Sequence, residues 1–228
     1  MTEYRLGPPL ITAERIQARV QELAEVISRD YAGKNLLLIC VLKGAAIFWA
    51  DLSRALRIPC QSDFVAMETY GDATLPLSEP RFTKAASVSL LGRDVLIVED
   101  IIDTGHTATH LRKILQAQEA RSVALCTLLN KVERREGAIP IQYCGFVIPD
   151  AFVVGYGLDY AQQYRHLPHI ATLEAVPPTE VGGSVRPAPA GRGGGLAAVV
   201  SCCLSHGLMV QGLRIIGLCA HAAGGEPG

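Results

Sequence analysis

Apolar positions recur along this chain in two alternating rhythms. Ile16, Val20, Leu23, Ala24, Ile27 and Tyr31 fall three or four residues apart, the helical period. Thr12 precedes them as a cap, Glu14 sits in the first turn, and Gly33 marks the stop. Leu36 to Leu42 is unbroken apolar sequence, which reads as a buried strand. Lys43-Gly44 follows, then a helix from about Ala45 to Leu56, halted before Pro59. Cys60 to Thr69 reads as a strand and leads into a polar stretch, Thr69-Tyr70-Gly71 to about Arg81. A β-branched run from Val95 to Val98 forms the next strand, Thr104-Gly105 a turn, and Thr107 to Leu115 an amphipathic helix. Ser122 to Leu129 is a strand ending at Asn130-Lys131, with Arg134-Arg135 beyond. Tyr143 to Ile148, Phe152 to Gly155 and Ile170 to Val176 supply shorter strands. Strands alternating with helices from Leu36 to Leu129 predict an α/β protein, its mostly parallel sheet covered on both faces.

The chemistry concentrates at strand ends. After Val98 come two adjacent carboxylates, Glu99 and Asp100, and a third at Asp103, just before the turn and the helix N-terminus. Free backbone N–H groups and the helix dipole make such a place a phosphate site. Acids there would repel the ligand unless they hold a cation or a sugar hydroxyl, and Mg²⁺ is the natural bridge. Lys43-Gly44 alone reads more readily as a solvated lysine before a helix. Phe152 alone reads as core packing, and Lys131 alone as a surface lysine at a strand end.

Taken together, the strings are more specific. Val95-Leu96-Ile97-Val98-Glu99-Asp100-Ile101-Ile102-Asp103-Thr104-Gly105 resembles the signature of the type I phosphoribosyltransferases, which bind phosphoribosyl pyrophosphate (PRPP). Its wording is that of the 6-oxopurine, hypoxanthine-guanine branch. Phe152-Val153-Val154-Gly155-Tyr156-Gly157-Leu158-Asp159-Tyr160 and Tyr164-Arg165-His166-Leu167-Pro168 resemble the same branch. The resemblance spans roughly Gly7 to Val176. It implies a five-stranded, mostly parallel sheet flanked by helices, under a small hood built from the two ends of the domain. It implies transfer of the phosphoribosyl group from PRPP to hypoxanthine or guanine, with Mg²⁺ as cofactor.

The resemblance also assigns residues. Lys43 and Gly44 form the pyrophosphate loop, with a cis peptide accessible between Leu42 and Lys43, and Arg165 joins them at pyrophosphate. Thr69-Tyr70 is the closing pair of a mobile lid, with threonine where serine is commoner. The segment Ala85-Ala86-Ser87 is less acidic than its counterpart in many relatives. Glu99 and Asp100 hold the ribose hydroxyls directly or through Mg²⁺, with Asp159 as a further metal ligand. Asp103, Thr104, Gly105, His106 and Thr107 cradle the 5′-phosphate. Asp103 is the general base toward purine N7. Lys131 donates to the 6-oxo group, and Phe152, Val153 and Asp159 complete the purine site. A homodimer or homotetramer is implied.

Composition narrows the alternatives. A net charge of −1 over 228 residues gives no electrostatic case for nucleic acid. That weighs against a PRPP-sensing regulator of RNA or DNA, and Lys131 with the Phe152 hood weighs against adenine or a pyrimidine. Seven scattered cysteines without a C-x-x-C pair read as reduced thiols in a cytoplasmic protein. Met1 to Pro9 has no apolar core and is not a signal peptide. Residues 1–176 form the expected domain. Residues 177–228 read as a Gly/Pro/Ala-rich linker and an apolar tail, disordered or weakly structured. Gln211 and Arg214 within that tail are costly in a bilayer, so it is not read as a membrane span.

Overall fold

The structure, a computed structural model, describes residues 4–68 and 81–175. The expected lid pair Thr69-Tyr70 and the expected linker and tail from residue 177 lie outside the described residues. Five strands run parallel: β2 (Leu36–Leu42), β3 (Gln61–Glu68), β5 (Asp94–Ile102), β6 (Ser122–Lys131) and β7 (Tyr143–Ile148). A sixth, β4 (Arg81–Lys84), pairs antiparallel with β3 at the edge, so the order is β4-β3-β2-β5-β6-β7. At four residues, β4 carries no readable period. The hydrophobic pattern leaves it out.

The two faces follow from strand alternation. Leu36, Leu38, Leu96 and Val98 meet Ile16, Val20, Phe48 and Leu52 of α1 (Ala13–Asp30) and α2 (Ala46–Ala55). Leu37, Ile39, Val95 and Ile97 point the other way, onto Ala108, Leu111 and Leu115 of α3 (His106–Gln116). Ile39 pairs with Ile97, and Ile97 with Leu125. Central strands buried on both faces are continuously apolar for this reason. Thr12 caps α1, its hydroxyl accepting from the Arg15 N–H at 3.4 Å, and Gly33 turns the chain away at φ +73°.

A second, three-stranded sheet is antiparallel and is built from both ends of the domain. In it β1 (Tyr4–Ile11) pairs with β9 (Ile170–Ala175), and β8 has shrunk to Val153–Val154 because Gly155 leaves the strand at φ +101°. Pro8 and Pro9 hide β1 from a pattern reading. They are tolerated because β1 is an edge strand with shifted register around Pro9. No helix among the described residues is long and apolar enough to cross a membrane.

Candidate active site

Parallel strands deliver their C-terminal ends to one edge of the sheet, where open α/β folds bind ligands. Here β2, β5 and β6 end beside one another. At the end of β5, Glu99 lines the space beside α3, whereas Asp100 lies against Gly44 of the β2–α2 loop, so the acids flank the strand end. Glu99 is buried; burial, then the charge of Asp100, pushes it well above the usual carboxylate range. Burial likewise raises Asp100, against an N–H bond from Ile101 at 2.9 Å and the nearby Arg165 charge. Buried Glu99 and half-buried Asp100, raised together, are a hard-oxygen donor set that a divalent cation would neutralise.

The β2–α2 loop closes over this pair. The Leu42–Lys43 peptide is cis. A Cβ on Gly44 would fall 1.7 Å from Asp100 Oδ2, so only glycine lets the loop backbone lie against that carboxylate. A cleft of about 330 Å³ opens here, lined by Lys43, Gly44, Glu99, Asp100, Asp159 and Arg165 among others. Arg165 Nη2 lies 2.7 Å from Asp159 Oδ1. Among the described residues no three His, Cys, Asp or Glu side chains converge as a metal site. Glu99, Asp100 and Asp159 thus line one cleft without forming one ligand cluster, and Asp159 is taken up by Arg165.

Next to it, Glu99 and residues 101–105, 107 and 108 enclose a hollow of about 120 Å³. Gly105, at φ +90°, is the N-cap of α3, so the helix opens directly onto this hollow. Thr104 and Thr107 line it. His106 does not: its Nε2 sits 2.8 Å from Glu136 Oε2 across the rim, while the Glu136 N–H donates to the Thr104 carbonyl at 3.1 Å. The strap after β6 is thereby tied to the cradle.

Asp103 and Lys131 come together from neighbouring strands, with Lys131 Nζ 3.8 Å from Asp103 Oδ2. The Lys131 side chain is 7% exposed and also donates to Asp150 Oδ1 at 3.3 Å. Arg134 completes a ring of alternating charge, its Nε 3.3 Å from Asp103 Oδ1 and its Nη1 3.7 Å from Asp150 Oδ1. The pattern reading gave Arg134 and Asp150 no role. Both sit in irregular segments, and only the register of β6 and β7 brings them to Asp103. On the hood, Phe152 is half-exposed and edge-on to Tyr160 at a centroid distance of 5.8 Å, whereas Val153 is buried in the core.

Comparison with known proteins decides the lineage. The phosphoribosyl transferase domain profile matches residues 11–161. The chain belongs to the phosphoribosyltransferase family. It is 47% identical over 171 residues to a hypoxanthine-guanine phosphoribosyltransferase of Mycobacterium tuberculosis strain H37Rv, covering 72% of this chain and 85% of that protein. It is 44% identical over 166 residues to a hypoxanthine phosphoribosyltransferase of Escherichia coli K12, covering 72% and 93%. The crystal structure of a hypoxanthine phosphoribosyltransferase from Staphylococcus aureus superposes with a TM-score of 0.71 at 40% identity, covering 74% of this chain and 92% of the other. The parallel sheet, the acid-rich β5–α3 turn and the antiparallel hood are this phosphoribosyltransferase's version of the type I fold.

Proposed function

We propose that this phosphoribosyltransferase is a purine-salvage enzyme that moves the 5-phosphoribosyl group from PRPP to hypoxanthine or guanine. The bond from ribose C1 to pyrophosphate breaks, the bond to purine N9 forms, and IMP or GMP leaves with pyrophosphate. The observation that carries the reading is the meeting of Asp103 and Lys131, 3.8 Å apart beside the α3 N-terminus. One group can take a proton from the base while the other recognises its oxygen.

Each part of the reaction has a residue. The α3 N-terminus with Thr104 and Thr107 holds the 5′-phosphate through N–H and O–H donors. Glu99 and Asp100 hold the ribose hydroxyls. Lys43, the Gly44 N–H and Arg165 hold pyrophosphate, where negative charge grows in the transition state. Asp103 accepts the N7 proton as the new bond forms. Lys131 donates to the 6-oxo group; adenine presents a donor there instead, which the ammonium faces without a bond, and that mismatch excludes the base. Half-exposed Phe152 stacks on the purine ring beside Val153. Glu99, Asp100 and, once released from Arg165, Asp159 would hold Mg²⁺, which supplies charge neutralisation for the diphosphate. His106 serves the cradle indirectly, through Glu136 and the Thr104 carbonyl. Thr69 and Tyr70 belong to the lid of this reading, and a homodimeric or homotetrameric cytoplasmic enzyme is its setting.

An absorbance assay with PRPP, Mg²⁺ and each base in turn tests the proposal. Turnover is expected with hypoxanthine or guanine and not with adenine or uracil. Turnover confined to adenine or a pyrimidine would overturn it.

A further inference from the structure

Two polar groups stand outside the chemistry just described, the hydroxyl of buried Tyr156 and the half-buried Asp51 carboxylate. Gly155, Tyr156 and Gly157 are three consecutive left-handed residues, with φ of +101°, +50° and +103°. Glycine takes that conformation freely, but a tyrosine there costs about 1–2 kcal/mol. Something must hold it, and two features do. The ring is 3% exposed, packed in the core shared with α1 and α2. Its hydroxyl donates to Asp51 Oδ2 at 2.5 Å. Asp51 is itself fixed from two helices, by Gln17 Nε2 at 3.0 Å and by Arg54. Burial pushes the Tyr156 hydroxyl far above its ordinary value, so it remains a neutral donor.

What the anchor holds in place is informative. The next residue, Gly157, lies so close to the pyrophosphate loop that a Cβ on it would fall 2.0 Å from the Gly44 carbonyl oxygen. Gly157 also bonds Arg165 in both directions. Its N–H donates to the Arg165 carbonyl at 3.0 Å, and Arg165 Nη1 donates to the Gly157 carbonyl at 2.7 Å. So one residue touches both arms of the pyrophosphate grip. The helix that carries Asp51 begins at Ala46, two residues after Gly44. The path Gly44, α2, Asp51, Tyr156, Gly157 and back to Gly44 is closed.

We propose that Tyr156, through its hydrogen bond to Asp51, is the positioning residue that sets the distance between the Lys43-Gly44 loop and Arg165. The inference rests on reading those groups as the pyrophosphate grip. Tyr156 touches no reacting atom. Its effect is confined to the affinity for the diphosphate, in PRPP and in product, and leaves purine recognition alone.

The test uses the full chain, with steady-state kinetics and calorimetric binding of Mg²⁺-pyrophosphate. Tyr156→Phe keeps the buried ring and loses the bond; Asp51→Ala loses it from the other side. Each should raise the KM for PRPP and the Kd for pyrophosphate roughly tenfold, the lower end for a bond to a charged group. The KM for hypoxanthine should stay within about twofold. The double variant should be no worse than either single one, because both remove the same contact. Asp51→Asn, which still accepts from the tyrosine, should recover most of the affinity. A folded Tyr156→Phe with unchanged PRPP and pyrophosphate affinity would overturn the proposal, as would purine and PRPP KM values rising in step. A wild type inactive with every base would sink the functional reading instead, and pyrophosphate calorimetry on the same variants would still decide the role of Tyr156.

Discussion

The Asp103 carboxylate and the Lys131 ammonium lie 3.8 Å apart, one from the end of β5 and one from the end of β6. Twenty-eight positions separate them in sequence, and the parallel register of the two strands joins them, with Ile102 beside Asn130. Their attraction is modest at that distance. Its use is positional: each charge keeps the other aimed at the space over the strand ends.

Lys131 acts on an oxygen already present in the bound base, so its loss should appear in binding. Lys131→Ala is expected to raise the KM for hypoxanthine by roughly 10–100-fold, the range for a bond from a charged donor, and to admit adenine weakly. Competition kinetics with both bases check this. An unchanged ratio of hypoxanthine to adenine kcat/KM would remove Lys131 from purine selection.

Gly44 tests the loop. A methyl group there collides with Asp100 Oδ2 at 1.7 Å, so either the loop or the carboxylate must move. A misplacement of about 1 Å can cost roughly 10²-fold. Gly44→Ala should lose about that much in kcat/KM for PRPP while the KM for hypoxanthine stays near wild type. Equal losses for both substrates would mean that the collision spreads beyond the diphosphate side.

Much of this was legible before the fold. The apolar runs Leu36–Leu42 and Val95–Val98 specify central strands because both faces are buried, and the acids, glycine and threonines that follow point to a phosphate site by chemistry alone. Elements with weak patterns were not legible: β1 carries two prolines, and β4 has four residues. Nor was the ring around Asp103. Arg134 and Asp150 are ordinary exposed charges in sequence, and only the packing of the strap after β6 against the end of β7 joins them. The string Glu99-Asp100 reads as one acidic pair, yet only Glu99 reaches the hollow beside α3, while Asp100 lies against Gly44 of the β2–α2 loop.

Asp63 governs stability rather than catalysis. Its carboxylate is buried on β3 and accepts from the N–H groups of Phe64 at 2.7 Å, Ser87 at 2.6 Å and Val88 at 3.0 Å. Burial raises its pKa, but those three donors outweigh burial and hold it down at about 2. A depressed carboxylate stabilises the fold above its unfolded value and loses that contribution as pH falls through the folded value. Between about 4 and about 2 the change amounts to roughly 2.5 kcal/mol. Asp63→Ala should therefore be about that much less stable at pH 6. The gap to wild type should close as pH approaches 2, as read by urea unfolding across the range. A gap independent of pH would assign the loss to packing instead.

Asp103 carries the central claim, because it alone is asked to move a proton while the new glycosidic bond forms. Asp103→Asn keeps the size and part of the hydrogen bonding and removes the base. Single-turnover formation of IMP, with hypoxanthine, PRPP and Mg²⁺ saturating, isolates that step from product release. The rate should fall by roughly 10²–10⁴, the range for general-base catalysis, with little change in PRPP affinity. A single-turnover rate close to wild type would contradict the assignment of Asp103 as the base.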